Sequence, residues 1–93
     1  SRREAEDAMW LDSLVKAGKI AKVERQHKIA LKVNGELICN HFVDFLVTLN
    51  DGRWKYFESK GVELSTWKIK KKLCEALMDI EYLVNANEKE LLG

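Results

Sequence analysis

Asp44 stands inside an apolar run, Phe42-Val43-Asp44-Phe45-Leu46-Val47, and Glu58-Ser59-Lys60 begins fourteen positions later. A carboxylate in such a run is costly to bury unless it is paired or bound to a metal. If both segments are strands, alternation puts Glu58 and Lys60 on one face. Asp51-Gly52, between them, is a tight-turn dipeptide that would lay the two strands side by side and let Asp44 approach that face. Two carboxylates and an ammonium then meet at one end of a sheet. Hard cations such as Mg²⁺ or Mn²⁺ take oxygen ligands, often one or two carboxylates completed by water and substrate phosphate. A lysine beside them can orient or deprotonate a water and stabilise charge developing on phosphate. The spacing suits metal-assisted hydrolysis of a phosphodiester. A Glu-x-Lys on a strand is by itself most often a solvated or salt-bridged pair. The weight rests on Asp44, since buried acids tend to be functional or paired.

The remaining sequence supplies elements that can position these residues. Residues 2–17 read as a helix with Ala5, Met9, Leu11, Leu14 and Val15 as its apolar stripe and Ala17-Gly18 as its stop. Glu4, Glu6 and Asp7 crowd its first turns, where the helix dipole favours acids. From Ile20 to Val33 the pattern alternates as in a strand, and Asn34-Gly35 is a strong hairpin turn. Strands over 36–49 and 53–60 complete a three-stranded antiparallel meander. After Gly61, Ser65 or Thr66 can cap a helix running to Leu77. Its expected inner set is Trp67, Ile69, Leu73, Cys74, Ala76 and Leu77, with Lys68, Lys71, Lys72 and Glu75 outward. Residues 80–84 read as a fourth strand, and Asn87 with Glu90 forms a capping box for a short last helix. The order α-β-β-β-α-β plus a tail predicts one α/β domain over 1–93, a small mixed sheet flanked by helices.

Composition bounds the rest. The chain has 93 residues, 46% hydrophobic and 33% charged, which suits one globular domain and excludes disorder. No apolar run approaches the ~18 residues of a membrane span, and the charged first residues predict no signal peptide. The chain opens on Ser1 rather than Met, as a trimmed chain would. Cys39 and Cys74 lack metal spacing and read as free thiols of a reducing cytoplasm. His27 and His41 are not spaced as a zinc pair, and His41, three positions before Asp44, is expected on the opposite strand face. Net charge is only +1, but Lys68, Lys70, Lys71 and Lys72 cluster just after Glu58-Ser59-Lys60. Such a run is either a solvated helix face or a set of contacts to DNA phosphates.

Asp44, Glu58-Ser59-Lys60-Gly61 and the glutamate-bearing first helix together resemble the PD-(D/E)xK, or restriction-endonuclease-like, nuclease superfamily. Val43-Asp44 stands where that pattern has Pro-Asp. The likeness is closer still to a small phage-borne family of that superfamily, and the order is also similar to that of phage Holliday-junction resolvases. It rests on Ser1-Arg2-Arg3-Glu4-Ala5, Gln26, Asp44-Phe45, Glu58-Ser59-Lys60-Gly61 and the Lys-rich helix from Trp67 to Leu77, and it covers about residues 1–84. The resemblance implies a metal-dependent DNA endonuclease in the cytoplasm of a bacterial host, with branched DNA among its substrates. Asp44, Glu58 and the Ser59 carbonyl would ligate Mg²⁺ or Mn²⁺. Lys60 would contact the attacking water or the scissile phosphate. Glu4 would reach the site from the first helix to hold a second metal or a water on the first, and Gln26 would support it. Lys68, Lys70, Lys71 and Lys72 would contact DNA.

Two other readings stay open at this stage. One is a non-catalytic nucleic-acid-binding module with the nuclease fold. The other is a protein-interaction domain in which Asp44, Glu58 and Lys60 form only a salt-bridge network. The small core, the resemblance to dimeric resolvases and the commonness of two-fold assemblies predict a homodimer, with Trp10 and Trp54 as contact candidates.

Overall fold

A computed structural model describes residues 2–93; Ser1, the first residue of the Ser-x-x-Glu-Ala motif, lies outside the described residues. The elements are α1 (Arg2–Lys16), β1 (Lys22–Val33), β2 (Glu36–Thr48), β3 (Trp54–Glu58), α2 (Ser65–Leu77), β4 (Glu81–Val84) and α3 (Glu88–Leu92). They form an α/β protein with one mixed sheet in the order β1-β2-β3-β4. The first three strands are antiparallel and β4 runs parallel to β3, a connection that needs the crossover provided by α2. Among the described residues no helix is long and apolar enough to cross a membrane.

Local chemistry explains the boundaries. Helix α1 closes in a Schellman motif: Gly18 takes φ +75°, its N–H donates to the Val15 carbonyl, and the Lys19 N–H donates to that of Leu14. The Asn34-Gly35 turn has both residues at positive φ, 51° and 81°, as a type I′ hairpin requires. At α3, the Asn87 side chain accepts from the Glu90 N–H and the Glu90 carboxylate accepts from the Asn87 N–H. Helix α2 differs from expectation: Ser65 is its first helical residue, and Leu64 precedes it with no side-chain cap.

The sheet carries a core on each side. Ala8, Leu11 and Leu14 of α1 pack with Phe45, Val47, Phe57 and Leu91 on one side. Ile29, Leu31, Val43, Tyr56 and Tyr82 pack with Trp67 and Cys74 of α2 on the other. The expected stripes are partly rotated. On α1, Ala8 faces inward while Met9 is 74% exposed. On α2, Ile69 is 65% exposed, and Lys71 instead lies half-buried over the Tyr82 ring.

The hairpin β1–β2 has a crease. Phe45 and Val47 face the α1 core, yet Val43, two residues from Phe45, faces the α2 core. Opposite it on β1, Val23 packs on the first core and Ile29 and Leu31 belong to the second. Unbroken alternation would keep all odd positions on one face. The inversion falls at Gln26, whose φ of 52° turns the strand over, and at Asp44, which lies across from it between the paired positions Arg25↔Phe45 and His27↔Val43. Asp44 therefore sits where the ribbon changes face, next to the end of β3.

Candidate functional site

The last residues of β3 meet the crease. The Ser59 N–H donates to Asp44 Oδ2 at 2.9 Å, so the backbone just past Glu58 is tied to the Asp44 carboxylate. Gln26 Nε2 approaches Asp44 Oδ1 at 3.4 Å and donates to Glu4 Oε2 at 3.0 Å. Arg25 adds an ion pair to the same Glu4 oxygen at 3.3 Å. Glu4 thus connects to Asp44 through one glutamine side chain. One turn further along α1, Asp7 accepts a hydrogen bond from Ser59 Oγ. Asp7 is a further carboxylate at this end of the sheet. Its sequence signal, an acid three positions after Glu4, is no stronger than that of any acidic helix start.

Glu58 is only 2% exposed. Burial, and then a hydrogen bond shared with Asp44, raise its pKa from 4.5 to about 8, against the opposing pull of the Tyr82 hydroxyl and the Lys60 charge. The Tyr82 hydroxyl donates to Glu58 Oε1 at 2.7 Å, and His41 Nε2 lies 2.7 Å from the same hydroxyl. A phenol has one proton, so His41 carries its hydrogen on Nε2 and donates it to the Tyr82 oxygen. Burial, with Lys70 and Lys60 nearby, lowers the His41 pKa and keeps the ring neutral. His41 is therefore not on a remote face: the crease brings it to the Glu58 side. Both His41 and Tyr82 escaped sequence reading.

Lys60 emerges beside the carboxylates without an ion pair to either. Its ammonium sits 4.9 Å from the centre of the Trp67 ring, a cation–π contact. Its backbone is clamped by Asn85, whose Oδ1 accepts from the Lys60 N–H and whose Nδ2 donates to the Lys60 carbonyl, both at 2.9 Å. Asn85 follows β4 at φ 54°, and its own N–H donates to the Glu58 carbonyl. Glu58 pairs in register with Val84. From Val84 a groove of about 370 Å³ runs along α2 past Trp67, Lys68, Lys71 and Lys72, with Glu63 and Glu75 on its walls. Lys71 pairs with Glu75 at 3.0 Å, while Lys68 and Lys72 are exposed. Lys70 is half-buried, and its charge adds to burial in lowering the His41 pKa.

Among the described residues no group of three or more His, Cys, Asp or Glu side chains is gathered so as to hold a metal ion. The residues that could hold one are Asp44 and Glu58, with the Ser59 carbonyl as a further oxygen between Glu58 and Lys60 in the chain. That set fits Mg²⁺, which takes one or two carboxylates and completes its shell with water and phosphate oxygens. Burial and the neighbouring Asp44 disfavour the charged form of Glu58, and a cation bound beside the pair would offset both.

The raised Glu58 pKa has a consequence for stability. Between about pH 4.5 and 8 the folded chain holds a proton that the unfolded chain has released. The stability this group contributes is full below the unfolded pKa and is lost as pH rises through the folded one. Without divalent cations, the wild-type melting temperature should therefore fall between pH 5.5 and 8.5 more steeply than that of Glu58→Gln. Parallel curves in differential scanning calorimetry would contradict the assignment.

Compared with protein-family profiles, curated proteins and solved structures, the chain finds no match in any of the three.

Proposed function

We propose that the chain is a metal-dependent DNA endonuclease of PD-(D/E)xK type, with the restriction-endonuclease-like fold. The observation that carries this reading is the junction of Asp44 and Glu58 at the end of β3, locked by the Ser59 N–H on Asp44. Asp44, Glu58 and the Ser59 carbonyl would hold Mg²⁺ or Mn²⁺. When bound, the ion would supply a Lewis acid for the scissile phosphate and acidify the attacking water. Lys60, on a flexible stem, can swing its ammonium from the Trp67 ring to that water or phosphate. Glu4 and Gln26 hold Asp44 in place from α1 and β1.

The groove beside Glu58 gives the DNA backbone a path along Lys68, Lys71 and Lys72. Each neutralised phosphate contributes roughly 0.9 to the slope of log K against log salt for duplex DNA. Changing these three lysines to Gln should flatten that slope by about 2–3 units. An unchanged slope would make the run a solvated face.

The working unit is proposed to be a homodimer, since cutting both strands of a duplex or junction needs two sites. Trp10 is a poor contact candidate, because it is half-buried with its ring 5.9 Å from that of Phe57. Trp54 is 56% exposed and remains available. Light scattering should give about twice the 10.8 kDa chain mass. A monomer, with or without a four-way junction, would reject the dimer.

The substrate is tested with single-stranded, duplex, flap and four-way-junction DNA, each incubated with Mg²⁺ and then with EDTA. Cleavage in Mg²⁺ alone supports the nuclease. A mobility shift without cutting identifies a non-catalytic binding module instead.

A further inference from the structure

Tyr82 and His41 are joined to Glu58 by a chain of hydrogen bonds, and neither has a role in the proposed chemistry. Their burial is expensive: Tyr82 is 7% exposed and His41 3%, and polar groups so placed are tolerated only when fully hydrogen-bonded. The phenol ring is packed by three neighbours. Trp67 meets it edge-on at 6.4 Å, Tyr56 packs at 5.7 Å, and the Lys71 ammonium lies 5.3 Å from its centre. The hydroxyl so held bridges His41 and Glu58, at 2.7 Å from each. His41 reaches it because β2 changes face at Asp44, so one crease delivers both the carboxylate partner of Glu58 and its rear support.

We infer that Tyr82 and His41 are positioning residues for Glu58. Tyr82 holds Oε1, with His41 donating to the phenol from behind, so that the other Glu58 oxygen is presented to Asp44 and to the cation the pair would bind. This rests on the nuclease reading. An outer partner of this kind orients a ligand without touching the ion, and its loss typically lowers metal affinity by 10- to 100-fold.

The test is calorimetric titration of the full chain with Mn²⁺ alone, without DNA. Tyr82→Phe keeps the ring and its packing but removes the hydroxyl. It should weaken Mn²⁺ binding about 10-fold or more while leaving the melting temperature within a few degrees. His41→Leu should weaken binding in the same direction. His41→Gln, whose amide can still donate to the phenol, should restore most of the loss, which a purely packing role would not predict. These two variants keep the test decisive if Tyr82→Phe fails to fold. Wild-type affinity in Tyr82→Phe, or equal affinities in His41→Leu and His41→Gln, overturns the positioning role while the nuclease reading stands. No Mn²⁺ binding by the wild type overturns both.

Discussion

Asp44→Asn and Glu58→Gln are each expected to abolish DNA cleavage and to remove measurable Mn²⁺ binding while the protein stays folded. The reasoning is electrostatic. Asp44 accepts the Ser59 N–H, and burial followed by the neighbouring Asp44 holds the Glu58 carboxyl above the usual carboxylate range. In the proposed nuclease a divalent cation would sit beside both carboxylates and offset their repulsion. Asn or Gln keeps the shape and much of the hydrogen bonding but removes the charge that would hold the ion. Cation-free stability should change little for Asp44→Asn and should rise for Glu58→Gln at alkaline pH, where the wild type must bury an ionised Glu58. Calorimetric titration with Mn²⁺, paired with thermal melts, separates the two effects. Equal metal affinity in wild type and Asp44→Asn would remove Asp44 from the ligand set.

Lys60→Ala is expected to slow cleavage by at least about 100-fold, the scale of losing one charged contact in a transition state. Metal binding should be retained. Lys60 makes no ion pair with Asp44 or Glu58 and stands 4.9 Å from the Trp67 ring centre, so the carboxylates do not depend on it for their positions. The Asn85 clamp acts on the Lys60 backbone and survives the substitution. Single-turnover rates with saturating Mg²⁺ measure the effect. A variant cutting at close to the wild-type rate would show Lys60 to be a surface residue held by its aromatic neighbour.

Much of the architecture was legible in the sequence because it depends on short-range chemistry. Asn34-Gly35 and Asp51-Gly52 fix the two hairpins, Gly18 ends α1, and Asn87 with Glu90 opens α3. Each acts within a few residues of itself. Asp44 and Glu58 were legible because an acid in an apolar strand is costly and the Asp51-Gly52 turn determines what lies beside it. What escaped depends on how distant segments meet. The left-handed conformation of Gln26 and the crease at Asp44 invert the strand faces, so counting by twos from Asp44 places His41 on the wrong side. The same applies to Tyr82, which reads as an ordinary strand aromatic until parallel pairing brings β4 beside β3. Asn85 is hidden for a related reason, since only the finished sheet sets its amide against the Lys60 backbone. On α2, the lysine stem of Lys71 covers the Tyr82 ring, and Ile69 is left outside. Binary patterning cannot foresee this, because long charged side chains also bury their apolar stems.

Asp44 and Glu58 are proposed to form a cation-dependent centre for phosphodiester hydrolysis. This role is tested most directly by following end-labelled duplex and four-way-junction DNA over time with wild type and Glu58→Gln, prepared in parallel, in Mg²⁺ and in EDTA. Cleavage is expected from the wild type in Mg²⁺ and from none of the other three combinations. An uncut substrate with wild type across a range of Mg²⁺ and Mn²⁺ concentrations, or equal cutting by Glu58→Gln, would contradict it.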